Sequence, residues 1–188
     1  MNSLFGSDRM ALLVSWELGP SVARLFEVEA KRDGAKYIEA EHMLLALAAD
    51  RDGGAAKAMM ESGLDHDRLE KALHEERTRT LAFAGMSAPS KELVEATELE
   101  SPLTFGTSAK SALRRGLIAT REARRGRRAR IRDIELLVGI LQAELGTVPR
   151  ALAIAGIDRG ALISRIMESE GRDTDGAQAA MRMGLTEC

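Results

Sequence analysis

The stretch Ile38 to Leu73 recurs without a gap as Ile131 to Ile166, ninety-three residues further along the chain. Such a duplication constrains the fold more than any single residue, because each copy is a unit that needs a neighbour to bury its apolar face. Ile38 pairs with Ile131, Met43 with Leu136, Leu44 with Leu137, Leu45 with Val138, Leu47 with Ile140 and Met59 with Leu152. The turn Gly63-Leu64-Asp65 pairs with Gly156-Ile157-Asp158, and Leu69 and Leu73 then fall on Leu162 and Ile166. Unrelated helices would not share a turn in register.

Each copy reads as four helices. Pro20 suits a first turn, where its missing N–H costs nothing, and Val22, Leu25, Phe26, Val28 and Ala30 form an apolar stripe up to a stop at Gly34. Glu39 to Ala49 is apolar on more than one side and is expected to be the central helix of its copy. Ala55 to Glu61 makes a short third helix ended by Gly63, and Asp65 caps a fourth. In the second copy Thr107 or Ser108 opens a long helix to about Arg125. Asp133 is expected to cap the next helix, Pro149 to start the third, Gly156 to end it and Asp158 to repeat the fourth helix cap. The expected fold is all-α: a pseudo-twofold pair of four-helix repeats at 18–77 and 103–170 forming one domain. Flanking them are an N-terminal extension at 1–17, where Leu12, Leu13 and Trp16 pack on the repeats, a linker at 78–102 with a helical turn or two at Lys91 to Glu98, and a flexible tail at 171–188.

Several functions are disfavoured by what the chain lacks. Gly106-Thr107-Ser108-Ala109-Lys110-Ser111 misses both glycines of a phosphate loop at the required spacing. His66 and His74 are two helical turns apart, His74-Glu75-Glu76-Arg77-Thr78 lacks the second histidine of a zinc protease, and no Gly-x-Ser-x-Gly elbow is present. No enzymatic activity, cofactor or metal is therefore expected. No segment approaches the roughly 20 apolar residues of a membrane span, and the short run Met10 to Trp16 is neither span nor signal peptide. The lone Cys188 can form no intrachain disulfide, which fits a reducing cytoplasm.

Charge is distributed unevenly. Between Lys110 and Arg132 the chain carries nine arginines against the single acid Glu122, although the whole protein has a net charge of −2. Arg114, Arg121, Arg125, Arg128 and Arg132 are spaced by seven, four, three and four, so a continuous helix would line them along one side, as a solvated face in the plainer reading or as a surface for an acidic partner. Nucleic acid is the weaker candidate there, because no aromatic side chains are interleaved to stack on bases and the domain as a whole is not basic.

The stretches Glu27-Val28-Glu29-Ala30, Tyr37 to Leu47, Gly54-Ala55-Ala56-Lys57 and Ser62-Gly63-Leu64 resemble the Clp N-terminal domain, the paired four-helix repeat at the front of Clp unfoldases. The resemblance spans roughly 18–75 and 103–169, and its most specific element is Glu41-His42 before a leucine-rich helix. In the second copy Ile134-Glu135 stands where the family usually has Glu-His, and Arg132-Asp133 where it often has Gly-Thr. The resemblance implies a freestanding copy without the ATPase modules: a non-catalytic docking module, monomeric or weakly dimeric, whose partners are proteins or peptides. It would serve Clp-dependent proteolysis as adaptor, decoy or ligand sink. Some family members recognise phosphoarginine through the acid of the Glu-His pair, which implies a pocket at Glu41 and His42 and a lost one at Ile134. The plainer reading makes Glu41 a first-turn carboxylate, worth about 0.3 to 1 kcal/mol, and His42 a capping side chain. Val22, Phe26, Leu81, Phe83 and Phe105 are candidates for an apolar groove between the copies, with core packing the default use of each. The alternative function is regulation through the Arg114 to Arg132 segment, with nucleic acid or an acidic protein as partner.

Overall fold

A computed structural model describes residues 20–86, 103–123 and 131–170. The first copy contains α1 (Pro20–Arg32), β1 (Tyr37–Ile38), α2 (Ala40–Ala49), α3 (Gly54–Glu61) and α4 (His66–Phe83). After β2 (Thr104–Phe105), the second copy contains α5 (Thr107–Ala123), α6 (Asp133–Leu141), α7 (Thr147–Ile154) and α8 (residues 159–170). The two short strands pair in parallel, Tyr37 opposite Thr104 and Ile38 opposite Phe105. The architecture is all-α.

The central helices explain the order of packing. From His42 to Ala48 and from Ile134 to Leu141 every residue is buried, because α2 and α6 lie against each other and each is covered by the first helix of its own copy. The outer helices are exchanged. α4 of the first copy lies on α7 of the second, while Arg165 of α8 reaches the other way to the Glu61 carbonyl and the Ser62 hydroxyl at the end of α3. Fourth helix on third helix, in both directions, is the pairing that a pseudo-twofold relation between the copies requires.

The duplicated turns have duplicated geometry. Gly63 and Gly156 adopt φ of 74° and 68°, the left-handed region that suits glycine. In each turn the residue after the glycine donates back to the third helix, Leu64 to the Met59 carbonyl and Ile157 to that of Leu152, both at 2.9 Å. Asp65 then accepts from the Arg68 N–H, and Asp158 from that of Ala161. Arg68 ties the two turns together, donating to the carbonyls of Gly63 and Ala155.

Where α5 crosses α6 the backbones nearly touch. A Cβ placed on Gly139 would lie 2.4 Å from the Ala112 carbonyl oxygen and 2.5 Å from the Gly116 nitrogen. Glycine at 139 is therefore a condition of the crossing.

Three sequence expectations are corrected. Asp133 is the first residue of α6 rather than its cap, and its carboxylate instead accepts the Ala55 N–H at the start of α3, 2.8 Å away. α7 begins at Thr147, which places Pro149 within the first turn rather than at its start, as proline tolerates where no intrahelical N–H is needed. α4 runs past the expected linker boundary at Thr78 to Phe83, because nothing breaks it until Gly85 (φ 72°), where the Met86 N–H closes on the Leu81 carbonyl. The extension at 1–17, the Lys91 to Glu98 stretch and the tail at 171–188 lie outside the described residues. No described helix is long and apolar enough to cross a membrane.

Candidate functional site

The β1–α2 corner gathers four ionisable groups from three elements. Glu39 precedes α2 in extended conformation, and its backbone N–H donates to Nδ1 of His42, 2.9 Å away. With Nδ1 accepting, the ring proton sits on Nε2 and is donated to Asp33 Oδ2 at 3.2 Å. Both ring nitrogens of this buried histidine are thus engaged in the fold, and none faces a ligand. Asp33 is in turn held by both terminal nitrogens of Arg77 from α4. Burial alone would raise the Asp33 carboxyl, but the hydrogen bonds from Arg77 and His42 outweigh it and hold the group down at about 2. The same bond to Asp33 raises the Arg77 guanidinium.

Glu41 is treated differently by its surroundings. It sits half-buried in the first turn of α2 and makes no ion pair among the described residues. Burial raises its pKa, and the charge of Glu39 adds to that. Its own backbone N–H, His42 and Arg77 pull the other way without cancelling the shift. The guanidinium nearby is committed to Asp33. A carboxylate partly stripped of water, with no ion pair among the described residues, gains from a cation that comes within reach.

The carboxylate of Glu39 leaves its own helix and binds the second copy. It accepts from the backbone N–H of Ser108 at 3.0 Å and from its hydroxyl at 2.5 Å, while that hydroxyl accepts the Ala40 N–H at 2.8 Å. Gly106 makes room, since a Cβ there would stand 1.8 Å from Glu39 Oε1.

The second copy builds a different corner. The Arg132 N–H donates to Glu135 Oε2, and its guanidinium binds Glu135 Oε1 at 2.9 Å and the carboxylate of Glu170. Burial would lower the Arg132 pKa, but these two acids raise it instead. Ile134, at the place of Glu41, is buried. With Asp133 capping α3 and Glu135 bound to Arg132, neither neighbouring acid replaces the missing carboxylate.

The groove candidates do not line a common surface. Phe26 and Phe105 are buried in the core and Val22 packs against it, whereas Phe83 is 97 % exposed at the last residue of α4 and Leu81 is half-buried. The inner stripe of α1 is consumed in covering α2 of its own copy, and the Phe105 side chain of β2 in the core. The arginine row is broken as well. Arg114 is exposed on α5 without an acidic partner among the described residues, but Arg132 lies in extended backbone ahead of α6, bound to two acids. The side chain of Arg121, and Arg125 and Arg128 entirely, lie outside the described residues. Sequence reading missed Asp33 and Arg77, 44 residues apart with no spacing to join them. It also missed the Glu39–His42 and Arg132–Glu135 links, although cap-to-third-residue spacing is the signature of a capping box and would have found them.

Residues 26–99 match the family model described as the Clp repeat (R) N-terminal domain. Over those residues, 74 of 188, the chain is similar to the Clp N-terminal domain family. The family-model match takes in the Glu41 corner and ends before the second copy. The likeness of the second copy rests on structure. The N-terminal domain of the caseinolytic protease associated chaperone ClpD from Arabidopsis thaliana superposes with a TM-score of 0.59 at 20 % identity, covering 84 % of this chain and 97 % of that one. At that identity the likeness concerns the fold. No curated protein matches the sequence. Within the Clp N-domain fold, this chain keeps an acid at the first-repeat corner and replaces it by Ile134 in the second.

Proposed function

We propose that this chain docks protein or peptide segments without acting on them chemically, and that Glu41 is the recognition point. The similarity of residues 26–99 to the Clp N-terminal domain family and the shared fold support the docking role, and one observation carries the choice of residue. Among the acids of the first-copy corner, Asp33 and Glu39 are hydrogen-bonded to neighbours, and Glu41 makes no ion pair among the described residues. A guanidinium satisfies such a carboxylate, and a phosphate attached to that guanidinium falls near the N-terminus of α2, where helix N–H groups favour anions. The ligand class is therefore an arginine side chain of a client or adaptor, phosphorylated in the best case, and the role is that of an adaptor or decoy in Clp-dependent proteolysis.

The test is calorimetric titration with phosphoarginine and with unmodified arginine in peptides of the same sequence. The wild-type chain is expected to prefer the phosphorylated form, and Glu41→Gln to lose at least about tenfold in affinity, the loss of one charge-assisted contact. Equal affinities for wild type and Glu41→Gln would move the docking surface elsewhere.

A further inference from the structure

We propose that His66, Asp67 and Glu70 on the first turns of α4 bind one divalent transition-metal ion, with Zn2+ the best match and Glu29 of α1 holding the second nitrogen of the ring. One ligand atom from each of the three α4 residues lies within 4.8 Å of the other two. The i, i+4 spacing puts His66 and Glu70 on one face of the helix. Zinc–nitrogen and zinc–oxygen bonds of about 2.0 to 2.2 Å set donors sharing an ion roughly 3 to 4 Å apart, so small side-chain rotations close the set. Imidazole with carboxylates is a donor set that zinc accepts and that magnesium and calcium, which prefer oxygen alone, do not need.

The independent observation is Glu29. Its side chain comes from a different helix and is only 9 % exposed, yet among the described residues its carboxylate accepts no hydrogen bond. Its nearest cationic atoms are Arg32 Nη1 at 3.8 Å and His66 Nε2 at 3.9 Å, both too long for a direct bond. Buried carboxylates ordinarily have direct partners. His66 therefore has a carboxylate facing each ring nitrogen, Asp67 at 3.7 Å from Nδ1 and Glu29 at 3.9 Å from Nε2. A metal on one nitrogen leaves the other N–H to a carboxylate, the arrangement that orients metal-bound imidazoles. The cation now nearest the cluster is Arg32, which binds Glu70 at 2.9 Å from a side chain 55 % exposed and free to swing into solvent. Arg32 is thus a competitor of the ion. Zinc motifs are sought as paired histidines, and here carboxylates stand in for the second one.

The experiment titrates Co2+ into the untagged full-length chain, following visible absorption and heat, and then displaces it with Zn2+. A Cys188→Ser background removes the thiol as a rival ligand. One equivalent is expected to bind. His66→Ala and Glu70→Gln should each weaken it by about tenfold or more, and Arg32→Gln should tighten it several-fold by removing the competitor. Affinities within twofold of the parent for both His66→Ala and Glu70→Gln, or an unaltered one for Arg32→Gln, would overturn the proposal. If His66→Ala disturbs the fold by circular dichroism, Glu70→Gln, altered at a 45 % exposed side chain, decides the matter.

Discussion

Arg77 and Glu170 occupy equivalent positions ninety-three residues apart and carry opposite charges, each clamping the corner of its own copy. Arg77 grips Asp33, which holds His42; Glu170 grips Arg132, which holds Glu135. His42 and Glu135 are themselves equivalent, as are Glu39 and Arg132. The second corner is a charge-inverted version of the first, in which the acid of Glu41 has given way to Ile134. A guanidinium ligand suited to the first corner meets at the second only carboxylates that Arg132 already binds.

Binding of an arginine-derived ligand is accordingly expected at one equivalent per chain. Ile134→Glu should not create a second site, because the new carboxylate would be buried beside Glu135 and Glu170, where like charges oppose ionisation. A stoichiometry of two in the wild-type chain would contradict the inversion argument. Calorimetry reads it directly.

Stability and binding should part company at Glu41. Because burial raises its pKa, the folded state resists the ionised carboxylate, and Glu41→Gln should melt slightly higher at pH 7, by about 1 to 2 °C for a chain of this size. The difference from wild type should shrink as the pH falls and the carboxyl protonates. A melting temperature several degrees below wild type would make Glu41 a structural residue instead.

Asp33 has the opposite sign. Its pKa drops from 3.8 to about 2 on folding, so its contribution is complete above about pH 4 and is lost as the pH falls toward 2. That contribution amounts to at most about 2 kcal/mol, the side chain being partly open to solvent. Arg77→Ala should therefore be less stable than wild type at pH 6, and the gap should close near pH 2. Denaturant titrations at the two pH values check this.

Two glycines should respond unequally to alanine. At Gly139 the added methyl meets backbone atoms of α5 that cannot rotate away, so a loss of about 3 kcal/mol or more is expected. At Gly106 it meets only the end of the Glu39 side chain, which can turn aside at the cost of its bonds to Ser108, about 1 kcal/mol. Similar losses at both sites would show that the α5–α6 crossing has slack. Thermal melts of the two variants suffice.

Turns and periodicity were legible in the sequence because they are local: Gly63 and Asp65 announce their roles by type and position, and their partners ninety-three residues on confirm the register. Asp133 was not, since an aspartate that caps its own helix and one that caps a neighbouring helix look identical until the helices are placed. Phe26 and Phe105 stood open between core and groove for a related reason. An aromatic residue on an apolar stripe signals burial, and only the packing decides whether protein or ligand covers it. At the candidate site, Glu41 followed from resemblance, but its lack of an ion pair among the described residues depends on Arg77 being drawn to Asp33 from another helix.

The caps that cross between copies have a structural consequence. Asp133 closes α3, and Ser108 with Glu39 ties the start of α5 to that of α2; the counterpart of Asp133 in the first copy is Ala40, which has no side-chain acceptor to offer in return. A symmetric pair of separate identical chains would have had to carry both groups in both members. In the single chain the two halves are complementary parts, and neither is a spare for the other.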